Sequence, residues 1–476
     1  MSPASDFRSL SASPRSRRSG VRSRLLAVPI ALFALIAVLA VWRVGSPPVL
    51  ELRTNVPGIG SRTEITAVAE EAGRGLGTVV LELVQAERRW ELARTEHEPR
   101  PFWAFWGERT ARVELPAVVE GRTVEGLAEG EALLRLVASR APTWLRPPAP
   151  EVLERTLPVR WRPPSVNASS QPNYVGQGGS GLVVYTVGEA AVRHGVEVGD
   201  RLFEGSPVPG RAGEFFALYA APYDLETGDS IRLFAEDALR NASRAPFLTL
   251  YQTRELVRST IALDDAFLQK VVPAIAAETA GLRVGDDLLA GYLEINGPLR
   301  RANAEELRRL AAESRETFLW SGVFLQQPNA QVMDRFAARR QYTYRGEVVD
   351  QQDHLGLDLA STRQAEVLAA NSGVVVMARY FGIYGRTVVV DHGHGLMSLY
   401  AHLSSIAVEP GAEVATGQTL GRTGATGLAG GDHLHFTVLL GGEPVTPLEW
   451  FDAQWIRNRI EAPLGGAGAA GAAAAL

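Results

Sequence analysis

Cysteine is absent from the 476-residue chain. Disulfides, thiolate-ligated zinc, iron–sulfur clusters and thiol nucleophiles are thereby excluded. Lysine is nearly absent too: Lys270 is the one lysine among 48 basic side chains. Long apolar runs are equally scarce, and one stands out. Leu25 to Trp42 (LLAVPIALFALIAVLAVW) carries no charge over 18 residues, enough for ~27 Å of helix. Six arginines and Asp6 precede residue 25, a local charge of +5 that leaves −10 for the rest of a chain whose total is −5. That balance argues against a nucleic-acid-binding body. The arginine flank is expected to stay in the cytoplasm, which places everything after Arg43 outside. A cleaved signal peptide, with Val38 and Ala40 before the cut, is the competing reading. The long polar lead and bulky Trp42 favour an uncleaved single-pass anchor.

What remains is globular in composition, 46% hydrophobic and 21% charged, and long enough for several domains. The expected fold is mainly β. After a basic tail (1–24) and a transmembrane helix (25–42), a β-sandwich-like module is expected over 47–164. Its strands include Thr78–Val84, Arg112–Leu115 and Ala132–Val137, and the proline-rich run Ala141–Pro164 marks its end. A second β-rich module follows over 165–262, with strands at Leu182–Val187, Ile231–Ala235 and Phe247–Tyr251. A helical connector spans 263–319, where Asn303-Ala-Glu-Glu306 has the pattern of a capping box opening a helix. A glycine-rich β domain occupies 320–455, and a Gly/Ala-rich tail closes the chain over 456–476.

Some motifs are decoys. Gly176-Gln-Gly-Gly-Ser-Gly181 matches G-x-G-x-x-G, but a β-branched strand follows it instead of the helix a dinucleotide site needs, so a hairpin or bulge is the better reading. His97-Glu98 is followed by Pro101 where the second ligand of H-E-x-x-H would stand. Asn167-Ala-Ser169 and Asn241-Ala-Ser243 are sequons of the kind expected by chance, and His194 stands alone.

Six of the eight histidines fall between 354 and 435. In His354-Leu-Gly-Leu-Asp358 an extended strand brings residues i and i+4 to one face, as a helix would, although Gly356 argues for extended chain. In His433-Leu-His435 a strand turns both imidazoles the same way. These elements supply two histidines and one carboxylate, with an imidazole to spare. Catalytic zinc characteristically takes three protein ligands and keeps a fourth position for water, whose pKa it lowers to about 7. The spare His433 and His402 (Tyr400-Ala-His-Leu403) are candidates for proton transfer and oxyanion stabilisation.

Residues 324–451 resemble the lysostaphin/LytM-type zinc metallopeptidases. The matching pieces include Gln327-Pro328, Arg339-Arg340, His354–Asp358, Tyr384-Gly385, Val390-Asp-His-Gly393, Tyr400-Ala-His-Leu403, Gly424-Ala-Thr-Gly427 and His433-Leu-His-Phe436. The resemblance implies Zn(II) on His354, Asp358 and His435, with His402 and His433 as the catalytic pair. His392 reads as part of a turn and His394 as incidental. Phe336-Ala337 departs from the family's usual Phe-Gly. The implied activity is endopeptidic hydrolysis of peptidoglycan peptide cross-links by metal-activated water, at the outer side of a bacterial inner membrane. Cell-envelope protein partners are expected through the β modules. The alternative is a catalytically silent LytM-like scaffold or activator of other wall hydrolases.

Overall fold

The computed structural model describes residues 28–38, 47–98, 109–142, 149–170 and 173–465. Of the helix expected over 25–42, residues 28–38 are helical; its ends, like the basic tail 1–24, lie outside the described residues. Among the described residues no helix is long and apolar enough to cross a membrane. The chain is mainly β and divides after Trp161 into two units.

The first unit has two antiparallel sheets. Val49–Thr54, Thr63–Glu70 and Arg112–Val119 form one. The other is ordered Arg88–Glu96, Leu76–Gln85, Gly130–Arg140, Glu151–Val159. Ile65 and Ala67 from the first sheet meet Leu81, Leu83, Leu134 and Leu136 from the second in one apolar core. The proline-rich run read as a terminus thus contains a strand. Glu151–Val159 lies at a sheet edge, where the missing N–H of Pro158 costs no ladder bond.

From Arg162 onward the chain forms the second unit. Separate modules were expected at 165–262 and 320–455, yet Val183, Phe216 and Leu233 share one core with Trp320, Val388, Phe436 and Trp450. The glycine-rich decoy helps to fasten this core. It links Tyr174–Gly176 to Ser180–Val187, with Gly178 at φ 70°, and the Ser180 N–H donates to Glu449 Oε2 at 2.7 Å. Burial pushes the Glu449 carboxyl up to about 7, against the pull of that amide and Arg254. The strand expected at Phe247–Tyr251 shrinks to Leu250–Gln252, paired in parallel with Tyr174–Gly176. The tail expected from residue 456 is packed at its start: Ile456, Ile460 and Leu464, at helical spacing, are buried.

The central sheet runs Gln331–Asp334, Leu357–Ala360, Leu434–Leu440, Leu396–Leu403, Arg386–Gly393, Gly373–Tyr380, Glu413–Val414. It is covered on both faces. Val388, Val390 and Tyr400 belong to the shared core, whereas Val389, Met397 and Leu399 pack against Leu307 and Ala311 of the helix Arg300–Ala312. That helix does not open at Asn303. Helical chain runs from Leu288–Glu294 through the wider turn Ile295–Leu299 into Arg300–Ala312. Asn303 is buried within it, and its Oδ1 accepts from the Ile383 N–H at 3.2 Å. The side chain read as a local cap is instead spent on a tertiary contact.

Candidate metal centre

Three strands deliver the donor set. His354 closes Glu347–His354, Asp358 lies in Leu357–Ala360, and His435, its direct antiparallel partner, lies in Leu434–Leu440. His354 and Asp358 therefore do not share one strand, contrary to the i, i+4 argument; the chain bends at Gly356 between them. A Cβ there would stand 2.6 Å from both His435 Nε2 and Thr437 Oγ1, so only glycine lets the bend close on the site.

The donor atoms converge tightly. His354 Nε2 lies 3.0 Å from Asp358 Oδ1 and 3.0 Å from His435 Nδ1, which is 2.9 Å from the same carboxylate oxygen. The far side of each ring fixes its tautomer. His354 Nδ1 faces the Arg335 carbonyl at 3.0 Å and must donate to it, which leaves a lone pair on Nε2. Thr437 gives its hydroxyl proton to the Leu355 carbonyl, so its oxygen accepts from His435 Nε2 at 3.1 Å. His435 Nδ1 is then a lone pair as well. Two ring nitrogens, each with its ring's other nitrogen bonded outward, and a carboxylate oxygen point at one spot, an arrangement that suits a cation. Tetrahedral donors at zinc distances stand ~3.3 Å apart, close to these separations, so the residues fit the ion the resemblance implies.

Electrostatics favour the same reading. Burial alone would raise Asp358, but His354, His433 and His435 hold its carboxyl far below the usual range. Its other oxygen accepts from Arg340 Nη2 at 2.8 Å, and Arg340 also pairs with Asp334. Burial lowers His435 to about 4, keeping it neutral.

His402 and His433 stand beside this triad, their rings 4.9 Å apart. His402 adopts φ 62°, rare for a non-glycine, and is held there by Nδ1–H donation to the Thr426 carbonyl at 2.8 Å. Its Nε2 is left as a lone pair, and burial, with the nearby His433 and His435, drives its pKa well down. His433 donates from Nδ1 to the Gly431 carbonyl at 2.9 Å and brings Nε2 within 3.4 Å of Asp358. Burial works against its charge, but Asp358 prevails and raises its pKa.

All five expected site residues thus line one cleft of about 450 Å³. His392 lies elsewhere, donating to the Ser372 carbonyl and bonded to Ser398, and His394 meets Ser206. Three contributors carried no role in the sequence reading. Thr437 and Arg340 orient the ligands, and Lys270 Nζ ties down the Ala429 and Gly430 carbonyls beside the His433 turn. The singularity of Lys270 was the only trace of it in the sequence.

Residues 352–447 match the model of Peptidase family M23. The chain is 40% identical over 96 residues to the peptidoglycan DD-endopeptidase ShyA of Vibrio cholerae, covering 20% of this chain and 22% of that protein. It is 36% identical over 95 residues to the murein hydrolase activator EnvC of Escherichia coli, covering 20% and 23%. The chain thus spans about a fifth of the length of these curated relatives. The solved catalytic domain of lysostaphin from Staphylococcus simulans is 21% identical, covering 30% of this chain and 96% of that domain, with a TM-score of 0.20. The family match and the two sequence relatives identify residues 352–447 as an M23 peptidase domain.

Proposed function

We propose that the protein is a zinc metalloendopeptidase that hydrolyses peptide cross-links of peptidoglycan. The observation that carries this reading is the convergence of His354 Nε2, Asp358 Oδ1 and His435 Nδ1, with the second nitrogen of each ligand ring bonded outward. Zn(II), when bound, supplies Lewis acidity and lowers the pKa of water. His402 offers a neutral Nε2 to take the proton of the attacking water and return it to the leaving amine. His433, raised by Asp358, is the better donor of a hydrogen bond to the developing oxyanion. The peptidoglycan substrate is suggested by the Vibrio cholerae relative, a peptidoglycan DD-endopeptidase.

The uncharged run 25–42 behind its arginine-rich lead supports a single-pass anchor in the bacterial inner membrane, with the peptidase on the outer side. The activator reading is the one the Escherichia coli relative brings. A complete donor set and a flanking histidine pair weigh against it here. His354→Ala and His402→Ala should each abolish EDTA-sensitive peptidoglycan hydrolysis by the purified protein, with zinc content lost in the first and kept in the second. Hydrolysis retained in both variants would overturn the assignment.

A further inference from the structure

The cleft around the metal triad is not built by the M23 stretch alone. Tyr292 and Arg300, from the helical chain that precedes it, form part of the wall together with Ile261, Leu263 and Phe267. Four acidic or basic side chains line the cleft besides the histidines, namely Asp264, Arg300, Arg340 and Asp358. Three of them are spoken for. Asp264 caps its helix by accepting from the Phe267 N–H at 2.7 Å, and Arg340 bridges Asp334 and Asp358.

Arg300 differs. Its Nε and Nη2 donate to the Asn296 carbonyl and Oδ1 at 3.2 and 2.6 Å, and no carboxylate pairs with it among the described residues. Asn296 is fully buried and is itself fixed by donation to Asp350 Oδ2 at 2.7 Å. One edge of the guanidinium is therefore locked, while the edge between Nη1 and Nη2 keeps unused donors in the parallel geometry a carboxylate accepts. The neighbouring walls are apolar or phenolic. Tyr292 and Tyr384, both raised by burial, line the cleft together with Arg300, and the Tyr384 ring lies 5.8 Å from that of His435. A positioned, unpaired arginine in such a wall is worth more than one in water.

We propose that Arg300 is a specificity-determining residue that binds a free carboxylate of the substrate peptide close to the scissile amide. The inference rests on the proposed function, and it places one determinant of substrate choice outside the matched residues 352–447. Cross-linked stem-peptide fragments prepared with the carboxylate beside the scissile amide either free or amidated would test it. The wild-type protein should favour the free acid in kcat/KM by about 10- to 100-fold. Arg300→Gln should abolish that preference through KM while leaving kcat and zinc content in place, and Arg300→Lys should restore part of it. In parallel, calorimetry with an uncleaved stem tetrapeptide should show weaker binding to Arg300→Gln for the free acid but not for its amide. Equal handling of acid and amide by the wild type, or an undiminished preference in Arg300→Gln, would overturn the inference. If neither fragment were hydrolysed the peptidase reading would fall, and the calorimetric comparison would still decide the role of Arg300.

Discussion

The strand Gly130–Arg140 of the first unit buries every second residue from Ala132 onward, whereas Leu434–Leu440 of the M23 sheet buries all seven. The first strand has one face on the sandwich core and one toward water. The second sets Leu434, Phe436, Val438 and Leu440 in the shared core, and on its other face Leu439 packs with Leu307 and Ala311 while His435 lines the cleft. A polar side chain has little solvent to turn to on such a strand. It must find a partner or serve as one, because an unpaired buried polar group costs ~1–3 kcal/mol. On Leu434–Leu440 the polar residues are His435 and Thr437, a metal-ligand candidate and the group that orients it. In the first unit the most deeply buried polar pair, Glu71 with Arg140, does architectural work. The Glu71 carboxylate accepts from the Gly73, Arg74 and Gly75 amides and from Arg140. Burial pushes its pKa up, but these donors outweigh burial and hold it below the usual value. Polar burial thus closes a loop in one unit and assembles a candidate metal centre in the other.

Three substitutions probe that contrast. Glu71→Ala removes the shared acceptor of three amides and the buried carboxylate partner of Arg140, and should cost ~3–5 kcal/mol in denaturant unfolding while zinc content stays unchanged. Loss of zinc in that variant would erase the distinction between the two kinds of buried polar group. Thr437→Val keeps the shape but removes the hydroxyl that fixes the His435 tautomer. Zinc affinity, read by competition with a chelator, should fall ~10- to 100-fold. An unchanged affinity would mean that strand packing alone orients the ring. The smallest effect is expected at Ala337, which sits at φ 62° and donates its N–H to the His354 carbonyl at 2.6 Å. Ala337→Gly should raise stability by ~1 kcal/mol in thermal unfolding, with no change in zinc affinity.

Ala337 also shows how far a sequence can be read. Its departure from Phe-Gly was visible as a turn position, and the left-handed backbone explains why the family's glycine fits there. The meeting of five histidine and aspartate side chains in one cleft was legible because few side chains can donate to a metal and because they cluster in the sequence. The route by which they converge was not. His354 and Asp358 meet across a bend between two strands, since the partner strand bearing His435 fixes their spacing. Asn303 was misread because a side-chain amide caps a local helix or a distant turn with the same chemistry. The groups that set the tautomers, the Arg335, Thr426 and Gly431 carbonyls, leave no mark in a sequence, because every residue has one.

The sequence by itself determined the kind of chemistry, since donor atoms are covalent properties of histidine and aspartate and no thiol competes with them. Only the tertiary structure decided which nitrogen of each ring faces the cleft and which residues wall it. Those outcomes depend on carbonyls, a threonine and an arginine, some two residues along the chain and others tens of residues away, gathered by a sheet covered on both faces. There, each polar atom must be matched to one specific partner.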